Sequence, residues 1–278
     1  MARMTPSLDE KPGLSPANRS LERGVEILRA FRPGSELLGN AELADRTGLS
    51  RSTVSRLTQT LVGAGMLQVD AGQRAYRLAP AVLSLAHAMR SGSTVLALAA
   101  PKMRALAEAR RINVGLAAPD RDEMVYLESI RYNRRVSLRN VVSGQRVPME
   151  LTSLGRAWLA TAGEARRKAL YALFKQRRRA QWPALRDEIE LAMASVAERG
   201  FCAASWQPEV VALAAPIRAP GDAAPTRSPG GAAPGASAYV LNLSVSSTES
   251  LDSVVRELSP ALLALAADVE RALARGPA

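Results

Sequence analysis

Six side chains in one short stretch could do chemistry together: Arg51, Ser52, Thr53, Ser55, Arg56 and Gln59. The interleaved Val54 and Leu57, with Leu61 one turn further on, repeat at helical spacing. The stretch therefore reads as an amphipathic helix with one hydrogen-bonding face. That face carries no carboxylate, and the acids nearest to it are Asp45 and Asp70. An acid-free surface of Arg, Ser and Thr suits phosphate, and Arg and Gln can in addition read base edges in a duplex. The plainer alternative is an αα-hairpin whose surface happens to be rich in hydroxyls.

A second polar group lies in the strand-like run YVLNLSVS, residues 239–246. Tyr239, Leu241, Leu243 and Val245 fall on one face, and Asn242, Ser244 and Ser246 on the other. If the polar face is covered, its groups need water or a ligand; an ordinary half-exposed strand is the competing reading. A third candidate is the helix start at Thr152-Ser153-Leu154-Gly155, whose unpaired N–H groups and positive dipole end suit an anion. Catalysis finds little to work with. There is no Gly-x-Ser-x-Gly elbow, no glycine-rich phosphate loop and no HExxH pair. The one histidine, His87, reads as a packing or surface residue, and the one cysteine, Cys202, as an inert buried thiol, with a pocket or redox role as the alternative. No His/Cys cluster is available for zinc. No catalytic residue, metal or cofactor is expected.

The elements that must position the basic face can be read around it. Ser50 caps the helix, and a shorter helix over NAELADRT precedes it, the two meeting at Gly48 as a helix-turn-helix. Upstream, Ser20 is placed to cap a helix through LERGVEILRAF, with Leu21, Val25, Leu28 and Phe31 as its buried stripe and Pro33-Gly34 as its end. Downstream, Gly63-Ala64-Gly65 stops the second helix, and MLQVDAGQRAYRLAP reads as two strands around Asp70-Ala71-Gly72. A helix-turn-helix followed by such a hairpin is a winged helix. Arg74 and Arg77 flank the wing, beside the expected course of the DNA backbone.

The formal charge of +11 over 278 residues agrees with a polyanionic partner. Much of the excess sits elsewhere, in Arg166-Arg167-Lys168 and in the run 175–179, both read as solvated helix faces. At 47% hydrophobic residues the chain is globular in composition, and no apolar run is long enough to span a bilayer. Residues 1–18 read as a floppy tail without a signal peptide, which with the single cysteine points to the reducing cytoplasm. Beyond Pro80, AVLSLAHAMR and TVLALAAPKMRALAEARR read as helices broken at Gly92-Ser93. INVGLAAP, EMVYLESI and RRVSLRNVV are strand-like, and a helix over LTSLGRAWLATA and two more at ARRKALYALFKQ and WPALRDEIELAMASVAERG follow. Strands return at VVALAAPIRA and AYVLNLSVSS, separated by a Pro/Gly/Ala-rich stretch, 219–237, expected to be a mobile loop. A last helix carries Val254, Leu258, Leu262, Leu265 and Val269, and Pro260 is expected to kink or split it. This order predicts an α+β domain with a mainly antiparallel sheet.

The segments SLERGVEILRAF, NAELADRTGLSRSTVSRLTQTLVGAGML and YRLAP together resemble the amino-terminal half of the IclR family of bacterial transcriptional regulators. The later segment GQRVPMELTSLGRAWLA is similar to that family's Gly-x-x-x-Pro-(Leu/Met) and Gly-(Lys/Arg)-Ala signature. The resemblance implies a winged helix-turn-helix over 19–79, a linker helix over 80–98 that contributes to dimerisation, and a GAF-like effector-binding domain over 99–278. It assigns DNA contact to Ser52, Thr53, Ser55 and Arg56. It also assigns effector contact to Val147, Ser153 and Leu154, with Ala212 counted among them, and to Ser244 and Ser246, which match serines that bind carboxylate effectors. The family's acidic stretch after the Arg-Gly-(Tyr/Phe) turn is missing: Arg199-Gly200-Phe201 is followed by Cys202, Ala203, Ala204, Ser205 and Trp206, and Glu209 is the first acid. That departure favours a larger, more apolar or aromatic carboxylate over a small hydroxy- or keto-acid. The expected protein is a homodimer or dimer of dimers on a palindromic operator, acting as a repressor, its recognition helices roughly 34 Å apart in successive major grooves. An enzyme, or an interaction module without DNA binding, is the alternative.

Overall fold

Asn18 sets the start of the first helix, α1 (Arg19–Ala30): its side-chain oxygen accepts the N–H groups of Ser20 and Leu21, each at 3.1 Å. Asn18, not Ser20, is thus the cap. The computed structural model describes residues 18–132, 142–207, 210–218, 239–246 and 250–275, in two units, Met1–Gly92 and Ser93–Ala278.

In the first unit the buried line of α1 is Gly24, Ile27 and Ala30, continued by Phe31. Leu21 and Val25, expected in that line, are 67% and 43% exposed. At 3.6 residues per turn they lie about 120° and 160° round the helix from Ile27, beyond the strip that meets the core. Short α2 (Asn40–Thr47) follows, its first turn closed by Glu42, which accepts the Gly39 N–H at 3.2 Å. Gly48 turns the chain at φ +70°, a conformation that costs a residue with a Cβ, and α3 (Arg51–Gly63) begins. Leu43 and Val54 are fully buried, and so is Thr58, whose hydroxyl donates within its own helix to the Val54 and Ser55 carbonyls. Strands β1 (Leu67–Asp70) and β2 (Ala75–Leu78) form the wing. Leu38 adds a third rung by exchanging backbone hydrogen bonds with Tyr76. Helix α4 (Ala81–Ser91) ends the unit with no buried residue and with Leu83, Leu85 and Met89 exposed.

The second unit starts with α5 (Thr94–Arg110), capped by the Ser93 hydroxyl. Its sheet is antiparallel throughout, in the order β5-β4-β3-β8-β7-β6. The strands are β3 (Asn113–Asp120), β4 (Glu123–Ile130), β5 (Arg146–Pro148), β6 (Cys202–Gln207), β7 (Val210–Ile217) and β8 (Tyr239–Ser246). One face carries Val114, Leu116, Leu213, Ala215, Leu241 and Leu243, and packs against α5 and α9 (Leu251–Arg275). The opposite face packs against α6 (Ser153–Leu159), α7 (Glu164–Arg177) and α8 (Trp182–Arg199). Two strands escape the expected order. β5 is only three residues long and ends in proline, and β6 begins Cys-Ala-Ala-Ser, with none of the β-branched residues that mark a strand in sequence. The run RRVSLRNVV, read as a strand, and the stretch 219–237, read as a mobile loop, lie outside the described residues, the first save for Val142. Helix α6 is also shorter than LTSLGRAWLATA suggested. By contrast α9 continues through Pro260 as one helix, burying Val254, Leu258, Leu262, Leu265 and Val269. Among the described residues no helix is long and apolar enough to cross a membrane.

The basic clusters of α7 have structural duties. Glu150 is fully buried, and its Oε1 receives Arg178 Nε at 3.1 Å and an Arg177 nitrogen at 3.4 Å, while Arg177 also pairs with Asp122. Arg166 and Arg167 donate to the backbone carbonyls of Arg121, Leu159 and Ala162. These cations hold the α7 end of the unit together, where a solvated face was expected.

Candidate nucleic-acid interface and effector cavity

Helix α3 presents its polar face as the sequence spacing required. Arg51, Ser52, Arg56 and Gln59 are exposed, and Thr53 and Ser55 are half-buried. Ser50 Oγ accepts the Thr53 N–H at 3.3 Å and shares hydrogen bonds with the Ser52 and Thr53 hydroxyls at 3.1 and 2.9 Å. The cap thus ties down two of the hydroxyls expected to meet DNA, and helix dipole and side chains favour an anion at the same end. Arg46, although basic and close by, is spent on the fold: it donates to the Ala30 carbonyl at 3.1 Å and to Ser35 Oγ at 3.2 Å. On the wing Arg77 pairs across the hairpin with Asp70. The Gln73 N–H, and then Arg77, hold the Asp70 carboxyl below its usual value. Arg74, at the turn with φ +49°, is exposed. Of the two wing arginines, Arg74 stands at the tip and Arg77 is occupied.

The second unit holds a small cavity beside strands β3, β4 and β8 of its sheet, lined by Asn113, Val114 and Gly115 of β3, Tyr126 and Ser129 of β4, Arg131 just beyond it, and Asn242 and Ser244 of β8. Its volume is about 10 Å³, room for one water molecule. Gly115 makes the space. A Cβ there would stand 2.3 Å from Asn242 Oδ1 and 2.5 Å from Tyr126 Cε1. Burial pushes the Tyr126 hydroxyl up to about 12, opposed by a hydrogen bond from Asn242 and by the charge of Arg131. Burial also pulls the Arg131 guanidinium below the usual arginine value. One η nitrogen of Arg131, Oδ1 of Asn242 and the Ser246 hydroxyl are buried without a hydrogen-bond partner. Asn113 Oδ1 accepts the Tyr132 N–H at 3.0 Å and so fixes the chain on which Arg131 sits.

Of the six expected effector residues, only Ser244 lines this cavity. Ala212 pairs with Ser244 in the adjacent strand, and Ser246 pairs with Val210. Val147 lies on β5 at the sheet edge, and Ser153 and Leu154 are buried at the start of α6. That helix start is occupied. Thr152 Oγ1 accepts the Gly155 N–H at 3.2 Å, and a Cβ on Gly155 would lie 2.2 Å from the Met149 Cα and carbonyl oxygen. Cys202 donates to the Ser153 carbonyl at 3.4 Å, and burial pushes its thiol up to about 12. His87 is exposed and hydrogen-bonded to Ser91. Among the described residues no group of His, Cys, Asp and Glu could hold a metal ion.

Arg131 and Tyr126 went unnoticed in the sequence because β4 carries a bulge. Leu116 pairs with Glu128 but Ala117 with Tyr126, so Leu127 is the extra residue. The insertion shifts the alternation and brings Ser129 and Arg131 onto the side of Tyr126. Only an arginine directly following a strand hinted at it.

Comparison with known proteins agrees with this architecture. The family model for the IclR helix-turn-helix domain matches residues 20–71, and that for the carboxy-terminal domain of the bacterial IclR regulators matches 87–224. The crystal structure of an IclR family transcriptional regulator from Brucella abortus is 30% identical, with a TM-score of 0.78 over 92% of this chain and 93% of that one. The chain belongs to the IclR family of bacterial transcriptional regulators. This IclR-family regulator is also 36% identical to the regulator TsaQ1/TsaQ2 of Comamonas testosteroni, over 62% of each chain. An IclR homologue from Microbacterium hydrocarbonoxydans, crystallised with 4-hydroxybenzoate, shares the fold at 22% identity, with a TM-score of 0.65 over 92% of this chain and all of that one. IclR-family proteins are DNA-binding regulators and not enzymes.

Proposed function

We propose that this regulator is a repressor, and that its affinity for a palindromic operator is controlled by a partly apolar or aromatic carboxylate. The observation that carries the DNA half is the acid-free exposed face of α3. Arg51, Ser52, Thr53, Ser55, Arg56 and Gln59 meet the duplex there, and Arg74 meets its backbone from the wing. The effector half rests on a covered sheet face that leaves polar atoms unsatisfied near Ser244 and Ser246, with Val147, Ser153, Leu154 and Ala212 forming the wider surroundings. A winged helix-turn-helix over 19–79, a linker helix over 80–98 and an effector-binding domain over 99–278 divide the work. The exposed Leu83, Leu85 and Met89 of α4 support a homodimer or dimer of dimers, since such apolar side chains gain by burial against a second copy. The structure of the Microbacterium homologue was solved with 4-hydroxybenzoate, which makes hydroxybenzoates reasonable first probes.

The test is titration of DNA from the region upstream of its own gene. Arg56→Ala should weaken binding by roughly 10-fold or more, as expected for loss of one base or phosphate contact of about 1–3 kcal/mol. Unchanged affinity would take Arg56 out of the interface.

A further inference from the structure

We infer that Arg131 is the anchor for the effector's carboxylate, and that Asn242 accepts a hydroxyl of the same molecule. The inference rests on the effector-responsive reading above and adds to it the chemistry of the ligand's head group.

Arg131 is half-buried, and one of its η nitrogens is buried without a hydrogen-bond partner, which is costly unless an anion arrives to meet it. Among the described residues that line the cavity Arg131 is the one charged side chain, and its neighbours Tyr126, Ser129, Asn242 and Ser244 are neutral. Among the described residues no carboxylate forms an ion pair with it. The planar guanidinium presents the fork that a carboxylate accepts. Ser244 stands on the same wall with a hydroxyl to donate. Asn242 is 3% exposed, and while its amide nitrogen serves Tyr126, its Oδ1 has no donor. An acceptor left in this way asks the ligand for an O–H. The space is water-sized, so it takes one polar atom of the ligand, and the rest of the molecule lies outside. Together these groups describe a hydroxylated carboxylic acid.

The experiment uses the full chain, with 4-hydroxybenzoate, salicylate, mandelate and lactate as probes, together with benzoate and the neutral 4-hydroxybenzamide. Binding is followed by calorimetry and by thermal shift. At least one hydroxy acid should bind the wild type more tightly than benzoate does, and the amide should not bind. Arg131→Gln should weaken that acid about 10-fold or more, since a charge-assisted pair is lost. Arg131→Lys, which keeps the charge without the fork, should fall between. The unliganded Arg131→Gln protein should melt no lower than the wild type, because a partly desolvated cation with an unmet donor has been removed. The inference is overturned if no acid binds, or if Arg131→Gln binds acids as well as the wild type. Loss of acid binding in Ser244→Ala/Ser246→Ala but not in Arg131→Gln leaves the effector reading standing and removes Arg131. Acid binding that depends on Arg131 but never alters operator affinity keeps the anchor and removes the regulatory reading.

Discussion

Cys202 shows how completely surroundings can decide the behaviour of a reactive side chain. It is 1% exposed and holds the Ser153 carbonyl, and burial raises its thiol from 9.0 to about 12. A thiolate is the reactive form, so the native protein should resist thiol reagents at pH 8 and react once unfolded. The same shift has a consequence for stability. A group whose folded pKa lies above its unfolded value contributes stability at low pH and loses it as the pH rises between the two. For Cys202 that window runs from about 9 to about 12, and the raised Tyr126 adds loss between about 10 and 12. Urea melts at pH 8 and pH 11 should show this decline, and Cys202→Ala should reduce it; an equal decline in both proteins would mean the thiol does not titrate as described.

At the scale of elements, α7 looks in sequence like a surface helix studded with cations, yet Arg177 in its last turn and Arg178 just past its end hold a carboxylate with no exposed surface. Arg178→Met should therefore cost about 1–3 kcal/mol in a denaturant melt, because Glu150 loses one of two charged partners. Arg179→Met, one residue along and exposed, should cost nothing measurable. Equal effects would make the Glu150 network decorative. The contrast also marks what could be read from residues alone. Periodicity located α3, its cap Ser50, the left-handed Gly48 and the wing, because those features are local and each has its own chemical signature. It could not locate the partners of Glu150, which come from 27 and 28 residues away. Nor could it show the Leu127 bulge that turns Arg131 inward. For the same reason the basic face of α3 was legible almost residue by residue, whereas of the effector candidates only Ser244 reached the cavity.

At the scale of the whole molecule, each unit has a core of its own. Ile27, Leu43 and Val54 belong to one, and the two layers flanking the six-stranded sheet belong to the other. Ile27→Ala, at a fully buried site, should cost the amino-terminal unit about 2–5 kcal/mol. All three tryptophans, Trp158, Trp182 and Trp206, lie in the second unit. Tryptophan fluorescence should then report an unchanged transition in Ile27→Ala, while operator binding is lost at a lower temperature. A parallel fall in both signals would show that the two units melt as one.

The strand β8 alternates between two neighbours. Leu241 and Leu243 face the layer of α5 and α9, and Asn242 and Ser244 face the cavity. On the effector reading proposed above, survival of the fold and choice of signal are thus written on alternate letters of the same short word. Drift at Asn242 and Ser244 would then retune which acid is perceived while the core of the sheet stays intact, whereas drift at Leu241 and Leu243 would cost the fold first.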